Sequence, residues 1–228
     1  MGSCCTNNSN SIAEQFIRDI LKDESLTIRN YTYNELLNEI VSKRIEQEIP
    51  IGHVKQFLIP EFYDKKKTQT NDVYIESIFN YILEHLEERN NMYIVLLYFY
   101  PFIKHDEENI EQIFFNILRF ITKSQRLEIE REKVRILLFN YISFCSWGIT
   151  NSIKNKLLTP DELESSFESL LNGPYSEDKL NNFLDRLMKE LTGDIFEELI
   201  TLEMFQKMFK KYDISVVENV REYLLNEE

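Results

Sequence analysis

Glycine and proline are scarce in this chain, at five each in 228 residues. An all-β fold needs turn residues at short intervals, so the shortage excludes a sandwich or barrel. It also leaves no Gly-rich loop of the GxGxxG or Walker kind to cradle phosphates. The three cysteines make no disulfide framework, because Cys4 and Cys5 are adjacent and only Cys145 remains. Cys145, set between Phe144 and Trp147, is expected to be a buried apolar residue. The three histidines, His53, His85 and His105, stand singly in different segments, with no HExxH, no CxxC and no ligand pair one helical turn apart. Neither a transition-metal site nor a cysteine–histidine nucleophile is expected from them. Positive charge is short as well: 26 Lys and Arg against 39 Asp and Glu leave a net charge of −13. That balance excludes a nucleic-acid footprint. No secretory signal is evident, and the most apolar stretch, Met92 to Ile103, is about half a membrane span and contains Pro101. No catalytic residue, metal ligand or cofactor site is nominated, and the protein is expected not to be an enzyme.

What is present is helix. Apolar residues recur at helical spacing through most of the length, as in Ile110, Ile113, Phe114, Ile117, Leu118 and Ile121. Four segments fit the capping box, Ser11-x-x-Glu14, Thr32-x-x-Glu35, Thr159-x-x-Glu162 and Ser215-x-x-Glu218, with Pro160 at a preferred first helical position. These signals predict an all-α helical bundle with helices near 12–23, 33–48, 72–89, 92–100, 107–122, 129–148, 161–172, 177–191, 202–212 and 216–226. The expected organisation is a flexible tail over 1–11, amino-terminal helices over 12–59, a loop over 60–71 and a main helical domain over 72–228. The loop holds Lys65-Lys66-Lys67, a patch too small to bind a membrane alone. Acid is concentrated late: from Asp161 to Glu228 there are 17 Asp or Glu against 7 Lys or Arg, forming a solvated face or a surface for a basic partner or for divalent cations.

The chain opens Met1-Gly2-Ser3-Cys4-Cys5-Thr6. Removal of Met1 exposes Gly2, and Thr6 completes the M-G-x-x-x-[S/T] pattern of an N-myristoylation acceptor. A single myristoyl chain gives only marginal, reversible membrane affinity, so a second signal is required. Residues 1–13 contain no Lys or Arg, so charge cannot supply it there. Palmitate on Cys4 and Cys5 can. The lipidation residues are therefore Gly2, Cys4 and Cys5, with Asn7-Asn8-Ser9-Asn10 as a polar tether.

The second half resembles the EF-hand superfamily in its helix pattern. Phe114, Ile117, Leu118 and Ile121 precede a twelve-residue stretch from Thr122 to Lys133, and Val134, Leu137, Leu138 and Tyr141 follow it. Ile129 falls at loop position eight. Leu158-Thr159-Pro160-Asp161-Glu162-Leu163 and Ile200-Thr201-Leu202-Glu203-Met204-Phe205 resemble the ends of such loops, and Leu170 to Glu177 is similar to the joint between paired hands. The resemblance implies a helix–loop–helix pair related to calmodulin and the myristoylated calcium sensors. The calcium ligands depart from the pattern, which needs oxygen donors at positions 1, 3, 5 and 12 and glycine at 6. Thr122, Ser124, Arg126 and Lys133 stand there, Leu127 replaces the glycine, and Met204 occupies position twelve of the later fragment. A vestigial pair that does not take calcium is expected.

These readings lead to a non-enzymatic, lipid-anchored helical adaptor or structural protein at the cytoplasmic face of a membrane, engaging protein partners and no nucleic acid. Two alternatives stand beside it: a structural component of a cytoskeletal or ciliary assembly, and a regulatory subunit of an enzyme such as a kinase or phosphatase.

Overall fold

The computed structural model describes residues 6–22, 27–42, 72–85, 92–103, 109–154, 175–193 and 198–226. Those residues form an all-α protein. In chain order the helices are α1 (Thr6–Leu21), α2 (Tyr33–Ser42), α3 (Asp72–His85), α4 (Met92–Phe99), α5 (Ile110–Ile121), α6 (Arg131–Ser143), α7 (Ile149–Lys154), α8 (Glu177–Thr192), α9 (Leu202–Phe209) and α10 (Val217–Leu225). A π-helical turn, Phe144–Gly148, joins α6 to α7 without a break. Two three-residue strands, β1 (Glu128–Glu130) and β2 (Leu199–Thr201), precede α6 and α9.

Each long helix follows from its stripe. In α5, Phe114, Phe115, Ile117, Leu118 and Ile121 are buried on one side. In α8, Leu180, Phe183, Leu184, Leu187, Met188 and Leu191 do the same at spacings of three and four, opposite exposed Asp185, Arg186 and Lys189. Helix α5 lies against α9, and α8 against α6. Phe114 is central to the first contact: its ring stacks on Phe205 at 5.9 Å and meets Tyr141 edge-on at 5.2 Å. On the other side, α4 packs on α5 and α3 on α4 and α7, through Phe79, Phe99 and Phe102. Helix α10 crosses the π turn and contacts α1 and α8.

Gly148 explains how closely α3 approaches the π turn. A Cβ there would lie 2.8 Å from Phe144 Cδ2 and 3.1 Å from Tyr81 Cε1. Phe144 has nowhere to move, being held edge-on by Tyr98 at 4.8 Å and by Phe102 at 6.4 Å.

Several boundaries differ from the sequence expectation. Helix α1 begins at Thr6, so Asn7 to Asn10 are its first turns and the tail boundary at residue 11 falls inside it. A nucleated helix extends cheaply through indifferent residues, which local polarity does not reveal. Of the four expected capping boxes, Thr32 and Glu35 form one reciprocally: Thr32 N–H donates to Glu35 Oε2 at 2.8 Å and Glu35 N–H to Thr32 Oγ1 at 3.2 Å. Ser11 lies within α1, and Ser215 instead donates both its N–H and its hydroxyl to Asp213 Oδ1. Thr159 lies outside the described residues. Residues 129 and 130, expected to begin a helix, are strand, because Ile129 is used in pairing rather than in a helical stripe.

Candidate functional site: a strand-joined helix pair and a buried ion pair

Strands β1 and β2 run antiparallel, with Glu128 opposite Thr201, Ile129 opposite Ile200 and Glu130 opposite Leu199. Both isoleucines are fully buried. Each strand sits between an entering and an exiting helix, α5–β1–α6 and α8–β2–α9, so the pairing joins two helix–loop–helix units. Ile129 is eighth in the stretch Thr122–Lys133, and Ile200 is eighth in Gly193–Met204.

The twelfth residue of each stretch makes a local contact. Lys133 Nζ is 2.8 Å from the exposed Glu130 carboxylate. Met204 completes a cap: its N–H donates to Thr201 Oγ1 at 3.3 Å, while its thioether accepts from Thr201 N–H at 3.5 Å. A glutamate would make the same reciprocal contact through a carboxylate. In the first unit Ser124 Oγ donates to Glu128 O at 2.5 Å, bracing the loop with its own side chain. Among the described residues no group of three or more His, Cys, Asp or Glu is placed to hold a metal ion.

The second feature lies at the crossing of α1, α10 and the π turn. Arg221 is fully buried. Its Nη2 is 2.6 Å from Glu14 Oε2 and its Nε 3.1 Å from Glu14 Oε1, a two-pronged ion pair. Its Nη1 donates to Cys145 O at 2.9 Å and Ser146 O at 3.0 Å. N–H groups at the end of the π turn reach Phe144 O and Ser146 O, and the arginine braces the same turn from outside. Tyr175 completes the cluster. Its hydroxyl donates to Glu14 Oε2 at 2.7 Å, and its ring faces the Arg221 guanidinium at 4.7 Å. Arg18, one turn along α1, adds a contact of 3.2 Å to Glu14 Oε1.

The electrostatics follow the geometry. Burial alone raises the Glu14 carboxyl, but Arg221, Tyr175 and Arg18 together outweigh it and hold the group below the ordinary value of 4.5. Burial works against the Arg221 charge, and Tyr175 and Glu14 over-compensate so that its affinity for the proton rises. Burial pushes the Cys145 thiol up to about 12, so it is not a thiolate at neutral pH. The expectation that Cys145 is a buried apolar residue holds.

No family model, curated protein or solved structure matches this chain.

The lipidation residues Gly2, Cys4 and Cys5 lie outside the described residues, as do His53, His105 and the run Lys65-Lys66-Lys67. Among the described residues no helix is long and apolar enough to cross a membrane. Sequence reasoning missed the Glu14–Tyr175–Arg221 cluster, although a signal existed. Arg221 falls on the stripe of Val217, Val220 and Leu224, and Glu14 on that of Ile17 and Leu21. A lone charge on each of two apolar stripes asks for a partner of opposite sign.

Proposed function

We propose that this protein is a non-enzymatic adaptor, held at the cytoplasmic face of a membrane by acyl chains on Gly2 and on Cys4 or Cys5, whose paired helix–loop–helix units form a fixed scaffold for a protein partner. The observation that carries the scaffold reading is the pairing of Ile129 with Ile200 at the eighth position of two twelve-residue stretches. That register supports kinship with the EF-hand pattern. Lys133 and Met204 support loss of the calcium switch, because a switching hand needs a bidentate carboxylate at the twelfth position to pull its exiting helix round the ion. The buried ion pair at α1 supports a role in which the helix next to the acylated residues is fixed to the body rather than free.

Intact-mass measurement of the native protein tests the anchor. The expected result is a myristoyl group on Gly2 and thioester-linked palmitate on Cys4 or Cys5. Gly2→Ala should move the protein to the soluble fraction, and loss of both cysteines should leave weak, washable binding. A native chain with no acyl mass would sink the membrane reading. Purification of the native complex then identifies the partner.

A further inference from the structure

We infer that the loop between α5 and α6 is itself a contact surface for an anionic lipid bilayer. From Arg119 to Leu127 the chain reads Arg-Phe-Ile-Thr-Lys-Ser-Gln-Arg-Leu, with three cations and no acid in a protein of net charge −13. Lys123 and Arg126 are exposed, and none of the three cations is in an ion pair among the described residues. Leu127 is 74% exposed and Phe120 40%, large apolar side chains left in solvent. Phe120 is presented rigidly, stacked on Tyr93 at 4.7 Å with the Arg119 guanidinium 5.3 Å from its ring. Unlike the purely basic run Lys65-Lys66-Lys67, this loop adds exposed Leu127 and Phe120 to its cations. Apolar side chains interleaved with unpaired cations match the boundary between acyl chains and anionic headgroups.

The backbone gives an independent reason to think that Lys123 is kept for its charge. Helix α5 ends in a Schellman motif: Lys123 N–H donates to Phe120 O and Ser124 N–H to Arg119 O, both at 3.1 Å. That motif holds Lys123 at φ +54. The left-handed region disfavours a Cβ, and glycine is the usual occupant. Where helix α8 ends at a residue of positive φ, that residue is a glycine, Gly193 at φ +62. A lysine where glycine fits better is conformational strain at an exposed cation, and strain of this sort collects at functional positions.

An acidic peptide is the competing occupant. The bilayer is favoured because Leu127, the most exposed large apolar residue of those described, stands beside the exposed Arg126 with three quarters of its surface in solvent. The inference deepens the membrane-face reading, yet it is tested on protein without acyl groups, so failure of the anchor and failure of the loop are separable.

The test is flotation of the full chain, carrying Gly2→Ala, Cys4→Ser and Cys5→Ser, with vesicles of phosphatidylcholine alone or with added phosphatidylserine. Binding should require phosphatidylserine and vanish at about 0.5 M salt, where screening reaches only a few ångströms. Lys123→Ala with Arg126→Ala should weaken it about 30-fold, since each basic side chain near the surface contributes about fivefold. Lys123→Gly should raise the melting temperature while weakening vesicle binding, an outcome that a purely structural lysine would not give. Equal binding to neutral vesicles, or unchanged binding by the double variant, would overturn the inference. So would capture of polyglutamate with no vesicle binding, which would give the loop to an acidic protein partner.

Discussion

Arg221 and Glu14 are 207 positions apart in the chain and 2.6 Å apart in the fold. Neither has a ready substitute, since Arg221 also serves the Cys145 carbonyl and Glu14 also receives the Tyr175 hydroxyl. Loss of one partner therefore leaves more than an unpaired charge.

Arg221→Met should lower the unfolding free energy by about 3–5 kcal/mol, the usual result of stranding a buried charge. Denaturant titration measures it. The double variant Glu14→Leu, Arg221→Met removes both charges and should recover only part of the loss. A deficit of about 1–3 kcal/mol should persist, because the buried Cys145 and Ser146 carbonyls lose the Arg221 donor. Complete recovery would show that the arginine matters only as a counter-charge.

Acid should weaken the same contact. A carboxyl with a depressed folded-state pKa contributes its stability in full above the ordinary value, here 4.5, and loses it as the pH falls through the lowered one. The melting-temperature gap between the parent and Glu14→Gln should be constant above that value and close below it. A gap that widens on acidification would reverse the sign assigned to Glu14.

Gly148→Ala should destabilise. In an exposed helix interior this change is worth about 1 kcal/mol in the favourable direction. Here the new methyl meets Phe144 and Tyr81, and the overpacking should cost about 1–3 kcal/mol instead. Gly148→Ala combined with Tyr81→Leu should relieve part of it, read by thermal melting.

Calcium should leave the fold unchanged. Lys133 and Met204 stand at the twelfth positions, where a thioether is too weak a donor and an ammonium is repelled. Calorimetry at neutral pH should give a flat trace. A saturable micromolar site with a change in helix packing would revive a sensor.

The helices were legible because a stripe of period 3.6 is written locally, as in Leu180 to Leu191. The strands were not, because three residues are too few to show alternation and the partner of Ile129 lies beyond α6, α7 and α8. Position eight was legible for Ile129 through its flanking helices. Its pairing with Ile200 became visible only once α8 was seen to end at Thr192, which makes Gly193 the first residue of the second stretch. The π turn had no local signature. The side chain that braces it, Arg221 on the Cys145 and Ser146 carbonyls, is distant in sequence.

The tie between α1 and α10 also sets an order of events during synthesis. At about 5–20 residues per second, roughly 10–40 s separate the appearance of Glu14 from that of Arg221. Through that interval Glu14 has only Arg18 of its own helix beside it, and the Arg221 side of its carboxylate remains in water. The first helix is thus undocked for most of translation, and the acylation proposed for Gly2, Cys4 and Cys5 would have that window before α10 closes on α1.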